Sequence, residues 1–250
     1  MSMKKNENLT LTRFFYAMYA LMGITILSLL LLCLPACSNN HEPDLYYPTA
    51  LVTACTQGDS VFILQLDDST TLYPSNITRS PFGREVRALV NYSETDIANH
   101  VYINWIDSIR TKNPMPTMGI QNDSLYGADP IEIVHDWVTI AEDGYLTLRV
   151  RTLWSGTGKK HNINLLMGTN PDNPFELQLR HDALGDVGGT MGDALIAFNL
   201  NALCPSANPI KMTLKWQSFS GEKSVEFDLR PSSRRPVFLN RIPEMTSRVD

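Results

Sequence analysis

The chain has 250 residues, 43% of them hydrophobic and 19% charged, and a formal net charge of −5. That apolar share supports folded cores and excludes a disordered polar chain. The acidic balance argues against a nucleic-acid partner, which calls for a clustered basic face.

The first patterned stretch runs from Phe14 to Leu34, a predominantly apolar segment preceded by Lys4, Lys5 and Arg13. A basic start, an apolar middle and a small residue before a cleavage point make an export signal. Its length would also cross a bilayer as a helix, so a retained anchor is one alternative and a plain secretory signal the other. The segment ends in Leu34-Pro35-Ala36-Cys37, which resembles the lipobox of bacterial lipoproteins. That resemblance implies that a dedicated peptidase recognises Leu34, Pro35 and Ala36 and cleaves before Cys37. Cys37 would then carry a diacylglyceryl group on its thiol and an acyl group such as palmitate on its amino group. Residues 1–36 are thus expected to be a signal peptide, with the lipid on Cys37 as the covalent group and no cofactor. One fatty chain anchors only marginally, whereas several hold a protein at the membrane. The expected location is the cell envelope, at the outer membrane. Removing residues 1–36 takes away three basic residues and one acidic one, which moves the net charge from −5 to −7.

Of the four cysteines, Cys33 leaves with the signal and Cys37 takes the lipid. Cys55 and Cys204 remain, far apart in sequence. They are read as two thiols, with a disulfide between them as the alternative in an oxidising compartment.

Residues 37–47 are polar and contain Pro43, and read as a tether. From Pro48 the pattern turns to short strands. Thr49–Thr56 and Val61–Leu66 flank a turn, and Thr70–Tyr73 follows Asp67-Asp68-Ser69. In Glu85–Tyr92, Val86, Ala88, Val90 and Tyr92 share one face, with Arg87 and Asn91 on the other. Val101–Ile106 is the fifth strand, and Ser93–Asn99 is expected to form a short helix capped by Ser93. Five strands in 48–110 predict a small OB-like barrel. Residues 111–130, rich in proline, glycine and polar residues, read as a linker.

From Ile131 the alternation sharpens. Leu146, Leu148 and Val150 oppose Thr147, Arg149 and Arg151; Phe175, Leu177 and Leu179 oppose Glu176, Gln178 and Arg180. Ile210–Trp216 and Val225–Arg230 repeat the pattern, and Ile131–Ile140, His161–Met167 and Leu195–Leu200 complete seven strands. One polar face per strand predicts sheet half in water. Residues 131–240 therefore predict an immunoglobulin-like antiparallel β-sandwich, followed by a tail, 241–250. The fold class is all-β.

Pro48–Thr53, Leu64–Leu72 with Asp67-Asp68-Ser69, and Arg87–Tyr92 resemble the NigD-like lipoproteins of Bacteroidetes. Leu179-Arg180-His181-Asp182 with Gly185-Asp186, then Ile196–Leu200, are similar to that family's carboxy-terminal domain. The resemblance spans the mature chain. It implies an amino-terminal OB-like domain and a carboxy-terminal β-sandwich, and it brings no catalytic residues. The family takes its name from a bacteriocin gene cluster, in which an immunity role was proposed.

Candidate sites are few. Asp182, Asp186 and Asp193 lie on a glycine-rich stretch and could supply oxygens to calcium. The competing reading is an inter-strand loop whose glycines take positive φ and whose aspartates cap turns. Asp67-Asp68 reads as turn residues. His135-Asp136 and His181-Asp182 lack a neighbouring nucleophile, and no GxSxG elbow is present. Gly156-Thr157-Gly158-Lys159-Lys160 reads as a hairpin turn rather than a phosphate loop. Tyr46, Tyr47, Tyr73, Tyr92, Tyr102 and Trp105 are either ligand-stacking rings or barrel filling. Ser60, Ser69, Ser108 and Ser124 follow Asp in an envelope O-glycosylation pattern, with Ser124 the candidate. These features predict a tethered, non-catalytic binding protein for a protein, peptide or glycan, immunity-like or polymer-handling. The alternatives are an envelope hydrolase and a purely structural component. A pocket joining His181, Asp186 and another acid would favour the hydrolase; a surface aromatic or apolar patch would favour the binder.

Overall fold

The computed structural model describes residues 45–58, 61–204, 208–232 and 234. The expected signal peptide with Leu34, Pro35, Ala36 and Cys37, most of the tether, Ser60 and the tail lie outside the described residues. Those described belong to one compact unit, Pro43–Asp250. Among them no helix is long and apolar enough to cross a membrane.

Five strands form the amino-terminal barrel: β1 (Ala50–Gln57), β2 (Val61–Gln65), β3 (Thr71–Pro74), β4 (Val86–Glu94) and β5 (His100–Ser108). They close in the order β1-β2-β3-β5-β4, with β4 returning to β1 and β3 parallel to β5. Closure leaves no strand edge along the path. Alternation explains the core: Ala50, Val52 and Ala54 of β1 point inward with Val86, Ala88 and Val90 of β4. The helix expected over 93–99 is absent. Ser93 and Glu94 extend β4, and the Thr95 hydroxyl donates to the His100 carbonyl (2.9 Å). That local closure, with Asn99 at φ 60°, satisfies the backbone as a tight β4–β5 connection.

The second domain comprises β6 (Arg110–Lys112), β7 (Met115–Pro116), a 3-10 turn (Gly119–Gln121), α1 (Asn122–Tyr126), β8 (Glu132–Val134) and β9 (Ile140–Glu142). It continues with β10 (Tyr145–Trp154), β11 (Asn162–Met167), β12 (Glu176–Asp182), β13 (Thr190–Asn199), β14 (Ile210–Ser218) and β15 (Gly221–Leu229). One sheet runs β6-β13-β10-β8 with β9 also on β10; the other runs β15-β14-β12-β11-β7. Between them lies a core of inward residues such as Leu148, Leu165, Leu177, Phe198 and Leu214. To the expected antiparallel pairs the sandwich adds three parallel ones, β6 on β13, β7 on β11 and β12 on β14.

Two expectations change here. The supposed linker 111–130 is built into the sandwich: β6 joins one sheet, β7 the other, and α1 follows. Its prolines and glycines mark turns between short edge strands. The expected strand Ile131–Ile140 is split into β8 and β9 by a turn at Asp136. β9 returns as β10 through Asp143-Gly144, both at positive φ (49° and 77°), a two-residue turn suited to strand twist.

The two domains meet through the second faces of their strands. Leu51 and Ile109 are buried against Ala197, with Leu89 and Leu195 beside them. Next to this patch Arg87 of β4 is fully buried. Its guanidinium donates to Thr53 Oγ1 (2.9 Å) in the barrel, and to Thr147 Oγ1 (3.3 Å) and Glu142 Oε1 (2.5 Å) in the sandwich. Burial pushes the Glu142 carboxyl up, and Arg87 opposes that shift. Removing one partner of such a pair strands the other charge. We expect Arg87→Ala to lower the unfolding free energy by about 3–5 kcal/mol, with Arg87→Ala/Glu142→Gln recovering part of the loss. Urea denaturation of the three proteins measures this.

Candidate functional site

Two polar constellations stand out in the sandwich, one closed and one open. The closed one contains His181 and Asp186, both of which the sequence singles out. Asp186 accepts from the Ser155 hydroxyl and from the Ser155 backbone N–H (3.1 Å), and its other oxygen lies 3.3 Å from His161 Nε2. His161 Nδ1 lies 2.9 Å from His181 Nε2, and His181 Nδ1 lies 3.2 Å from the Pro130 carbonyl. A carbonyl only accepts, so His181 carries its proton on Nδ1 and His161 Nδ1 donates to His181 Nε2. Trp154 stacks on His161 at 3.9 Å between centroids. Burial pushes the His181 pKa down, and the hydrogen bond from Ser155 holds Asp186 below the usual carboxylate range.

A cavity of about 70 Å³ beside this chain is lined by Asp129, His181 and Asp186, with Val187 and Phe219. It thus joins His181 and Asp186 to a further acid, yet it falls far below the roughly 300 Å³ at which ligand pockets begin. Asp129 accepts from the Ala183 N–H (2.8 Å). The Ser155 hydroxyl donates to Asp186, whose lowered pKa makes it a weak base and whose other oxygen meets His161. The cluster therefore works as an internal tie between the 155–161 and 181–187 segments.

The three aspartates considered for calcium have separate partners. Asp182 accepts from the Leu184 N–H (2.9 Å) as a turn cap, Asp186 sits in the buried chain, and Asp193 lies in the open constellation. Among the described residues no group of three or more His, Cys, Asp or Glu is placed to hold a metal ion. Gly185 and Gly189 take φ of 79° and 89°. A Cβ on Gly189 would stand 2.0 Å from the Trp154 carbonyl oxygen.

The open constellation lies where barrel and sandwich meet. A cleft of about 300 Å³ is walled by Pro48 and Leu89 from the barrel and by Asp136, Trp137, Val138, Arg149, Asp193, Ala194 and Leu195 from the sandwich. The strand register places Arg151 of β10 directly opposite Asp193 of β13, with Arg149 on the diagonal. Arg149 donates to Asp136 (2.7 Å) and through Nε to Asp193 (2.8 Å); Arg151 donates to Asp193 through Nε (2.5 Å) and a terminal nitrogen (2.9 Å). Hydrogen bonds from Arg151, then from Arg149, hold Asp193 down to about 2.

Trp137 is the exposed ring of this cleft, 54% accessible, on a turn that is tightly held. Asp136 Oδ1 accepts from Val138 N–H (3.1 Å), and the Thr139 hydroxyl donates to the Val134 carbonyl (2.5 Å) while accepting from Arg149 N–H (3.1 Å). Val138 beneath is buried, so the turn is anchored while the indole stays in water.

The other sequence candidates fall elsewhere. Asp67 accepts from Ser69 and Thr70 N–H groups as a turn cap, and Asp68 pairs with Arg230 (3.2 Å). His135 is exposed, and only its neighbour Asp136 enters the cleft. Tyr92 packs against the barrel core, Tyr73 stacks on His100, and Tyr46, Tyr47 and Tyr102 are exposed. Trp105 donates to the Leu45 carbonyl (2.7 Å). Residues 156–160 connect β10 to β11, which lie in different sheets, so they form a crossover and not a hairpin. Ser124 is exposed on α1, its hydroxyl donating to the Gln121 carbonyl (2.9 Å). Cys55 and Cys204 are buried thiols, one in each domain. Cys55 lies beside Arg234 and is pushed up to about 11, mainly by burial.

A closed five-stranded barrel joined to a mixed sandwich, with an aromatic and ion-paired cleft at the junction, defines a two-domain all-β protein. The barrel matches the model of the NigD-like N-terminal OB domain over residues 50–109, and the sandwich matches the NigD-like C-terminal beta sandwich domain over residues 113–229. The chain belongs to the NigD-like family. A structure from Parabacteroides distasonis, provisionally described as a toxin-related protein, is 31% identical with a TM-score of 0.63, covering 72% of this chain and 92% of that one. A NigD-like immunity protein from Bacteroides caccae shares the fold at 22% identity and a TM-score of 0.53, covering 73% and 97%. A protein from Bacteroides fragilis, provisionally described as a lipoprotein, does so at 13% identity and 0.52, covering 74% and 97%. No curated protein matches.

The Asp193 carboxylate sets a pH dependence. Its folded pKa lies below the ordinary value of 3.8, so its stabilisation is complete above that value and is lost as pH falls through about 2. Asp193→Asn should therefore be less stable than wild type at neutral pH. The gap should close as the pH is lowered from about 4 to about 2, read by urea denaturation across that range.

Proposed function

We propose that this protein is a lipid-anchored, non-catalytic recognition protein of the cell envelope that takes its ligand in the Trp137 cleft. The observation that carries this reading is the indole itself. A large apolar ring is held out in water on a turn fixed by three hydrogen bonds, beside charges that already neutralise one another. Folding gains nothing from exposing it, whereas recognition surfaces favour rigid aromatic anchors. The closed His161–His181–Asp186 chain offers an envelope hydrolase neither a free base nor room for a polymer. The provisional description of the Parabacteroides distasonis relative as toxin-related fits an immunity-like role, and a polymer-handling role uses the same cleft.

The tether follows from Leu34-Pro35-Ala36-Cys37. Wild-type protein should incorporate labelled palmitate and sediment with outer membranes. Cys37→Ala should lose the label, and membrane fractionation with lipid labelling reads both.

The cleft is tested by replacing Trp137 with a photo-crosslinking phenylalanine in cells, with the same replacement at exposed Phe219 as control. Adducts formed at 137 and missing at 219 support the reading. Equal labelling at both positions, or none at 137, overturns it, as does cleavage of an envelope polymer by the purified protein.

A further inference from the structure

The cleft carries a statement about ligand class that rests on the binding role proposed above. We infer that it takes a neutral carbohydrate, seated with one ring face on Trp137 and its hydroxyls on the Arg149–Asp136–Asp193 rim.

Charge decides against ionic ligands. Arg149 bridges Asp136 and Asp193, and Arg151 closes on Asp193, so two guanidiniums face two carboxylates. An anion approaching Arg149 meets both carboxylates at contact range, and a cation approaching either carboxylate meets a guanidinium. Either would have to break an existing pair to gain a new one. A neutral hydroxylated ligand breaks none.

Hydrogen-bonding capacity remains for it. A guanidinium has five N–H donors, and the ion pairs engage three groups on Arg149 and two on Arg151. Asp136 Oδ1 meets only the Val138 N–H, so it keeps a lone pair. Donors and acceptors thus lie side by side, as hydroxyl recognition requires, since each hydroxyl both donates and accepts.

The remaining surfaces suit a sugar ring. Pro48, Leu89, Val138, Ala194 and Leu195 give an apolar floor, and the indole supplies a flat wall for ring C–H groups. A volume of about 300 Å³ stands at the lower end for ligand pockets, which matches a terminal sugar unit better than a length of polymer. Arg149 and Asp193 come from neighbouring strands of one sheet, so the rim is held by the ladder rather than by a loop.

The test uses the mature chain on an array of neutral oligosaccharides built from hexoses and N-acetylhexosamines. Matched sulfated, uronic-acid and amine-bearing forms stand alongside, and hits are titrated by tryptophan fluorescence. Neutral forms should bind and charged forms should bind more weakly. Trp137→Ala should lower affinity at least tenfold with an unchanged melting temperature, and Trp137→Phe should keep part of it. Asp136→Asn leaves the rim net positive and should shift preference toward the acidic forms. Preference for charged forms by the wild type, or full affinity in Trp137→Ala, overturns the assignment. A crosslink at 137 to a protein, with no neutral sugar bound, overturns the carbohydrate class and leaves the cleft as the binding site. Loss of the crosslink itself removes the reading beneath it.

Discussion

The buried guanidinium of Arg87 is the constraint on which the arrangement of the two domains depends. A charge without access to water must be neutralised and hydrogen-bonded where it sits. Its partners come from three strands, Thr53 on β1, Thr147 on β10 and Glu142 on β9. No sliding of barrel over sandwich preserves all three contacts. The flanking apolar patch of Leu51, Ile109 and Ala197 would tolerate many packings, because dispersion and burial are not directional. The ion pair supplies the direction. The neighbouring cluster extends it: Tyr145 donates to Glu85 (2.5 Å), and Arg234 reaches Glu85 (3.2 Å) and Asp143. Burial raises the Tyr145 pKa, so the phenol stays a donor across the physiological range.

The cleft inherits this constraint. Its walls come from both domains, Pro48 and Leu89 on one side and the Asp136–Val138 turn, Arg149 and Asp193 on the other. The cleft therefore has a fixed width only while the domains are fixed. Glu142 lies on β9, directly after the turn that carries Trp137. The strand that fastens the domains together also ends the segment that presents the indole. Domain registration and cleft geometry are one structural problem in this chain.

Much of the fold is legible from period-two alternation. The inward sets of β4, β10, β12 and β14 are those that the pattern picks out. What alternation does not separate is a polar face turned to water from one turned to another domain. Arg87 and Thr147 stand at outward positions and are among the most buried residues of the protein. The pattern records polarity, and a satisfied interface polar group has the same polarity as a solvated one. The 111–130 stretch looks like a linker for a related reason. β6 and β7 are held by parallel pairing to strands 51 or more positions away, which local composition does not encode. Asp143-Gly144 is a readable turn signal. Trp137 is hidden inside a run that resembles one continuous strand, although Asp136 before it is a residue that caps turns.

The two polar constellations show why exposure separates structure from recognition. In the His161–His181–Asp186 chain each ring nitrogen has a partner and the space beside it is small, so its hydrogen bonds serve to join segments of the sandwich. Around Arg149 the charges are also paired, yet donors remain at a surface that water reaches and a ring stands beside them without packing. A buried network that is complete inside has nothing left with which to bind. An exposed network that is neutral but not saturated keeps free donors and acceptors at the surface, beside the flat wall of the indole. The difference lies in solvent access rather than in residue type, since both constellations draw on acidic residues of the same glycine-rich stretch. Asp186 and Asp193 are seven positions apart, and the β13 strand that begins between them carries one into the cleft and leaves the other behind.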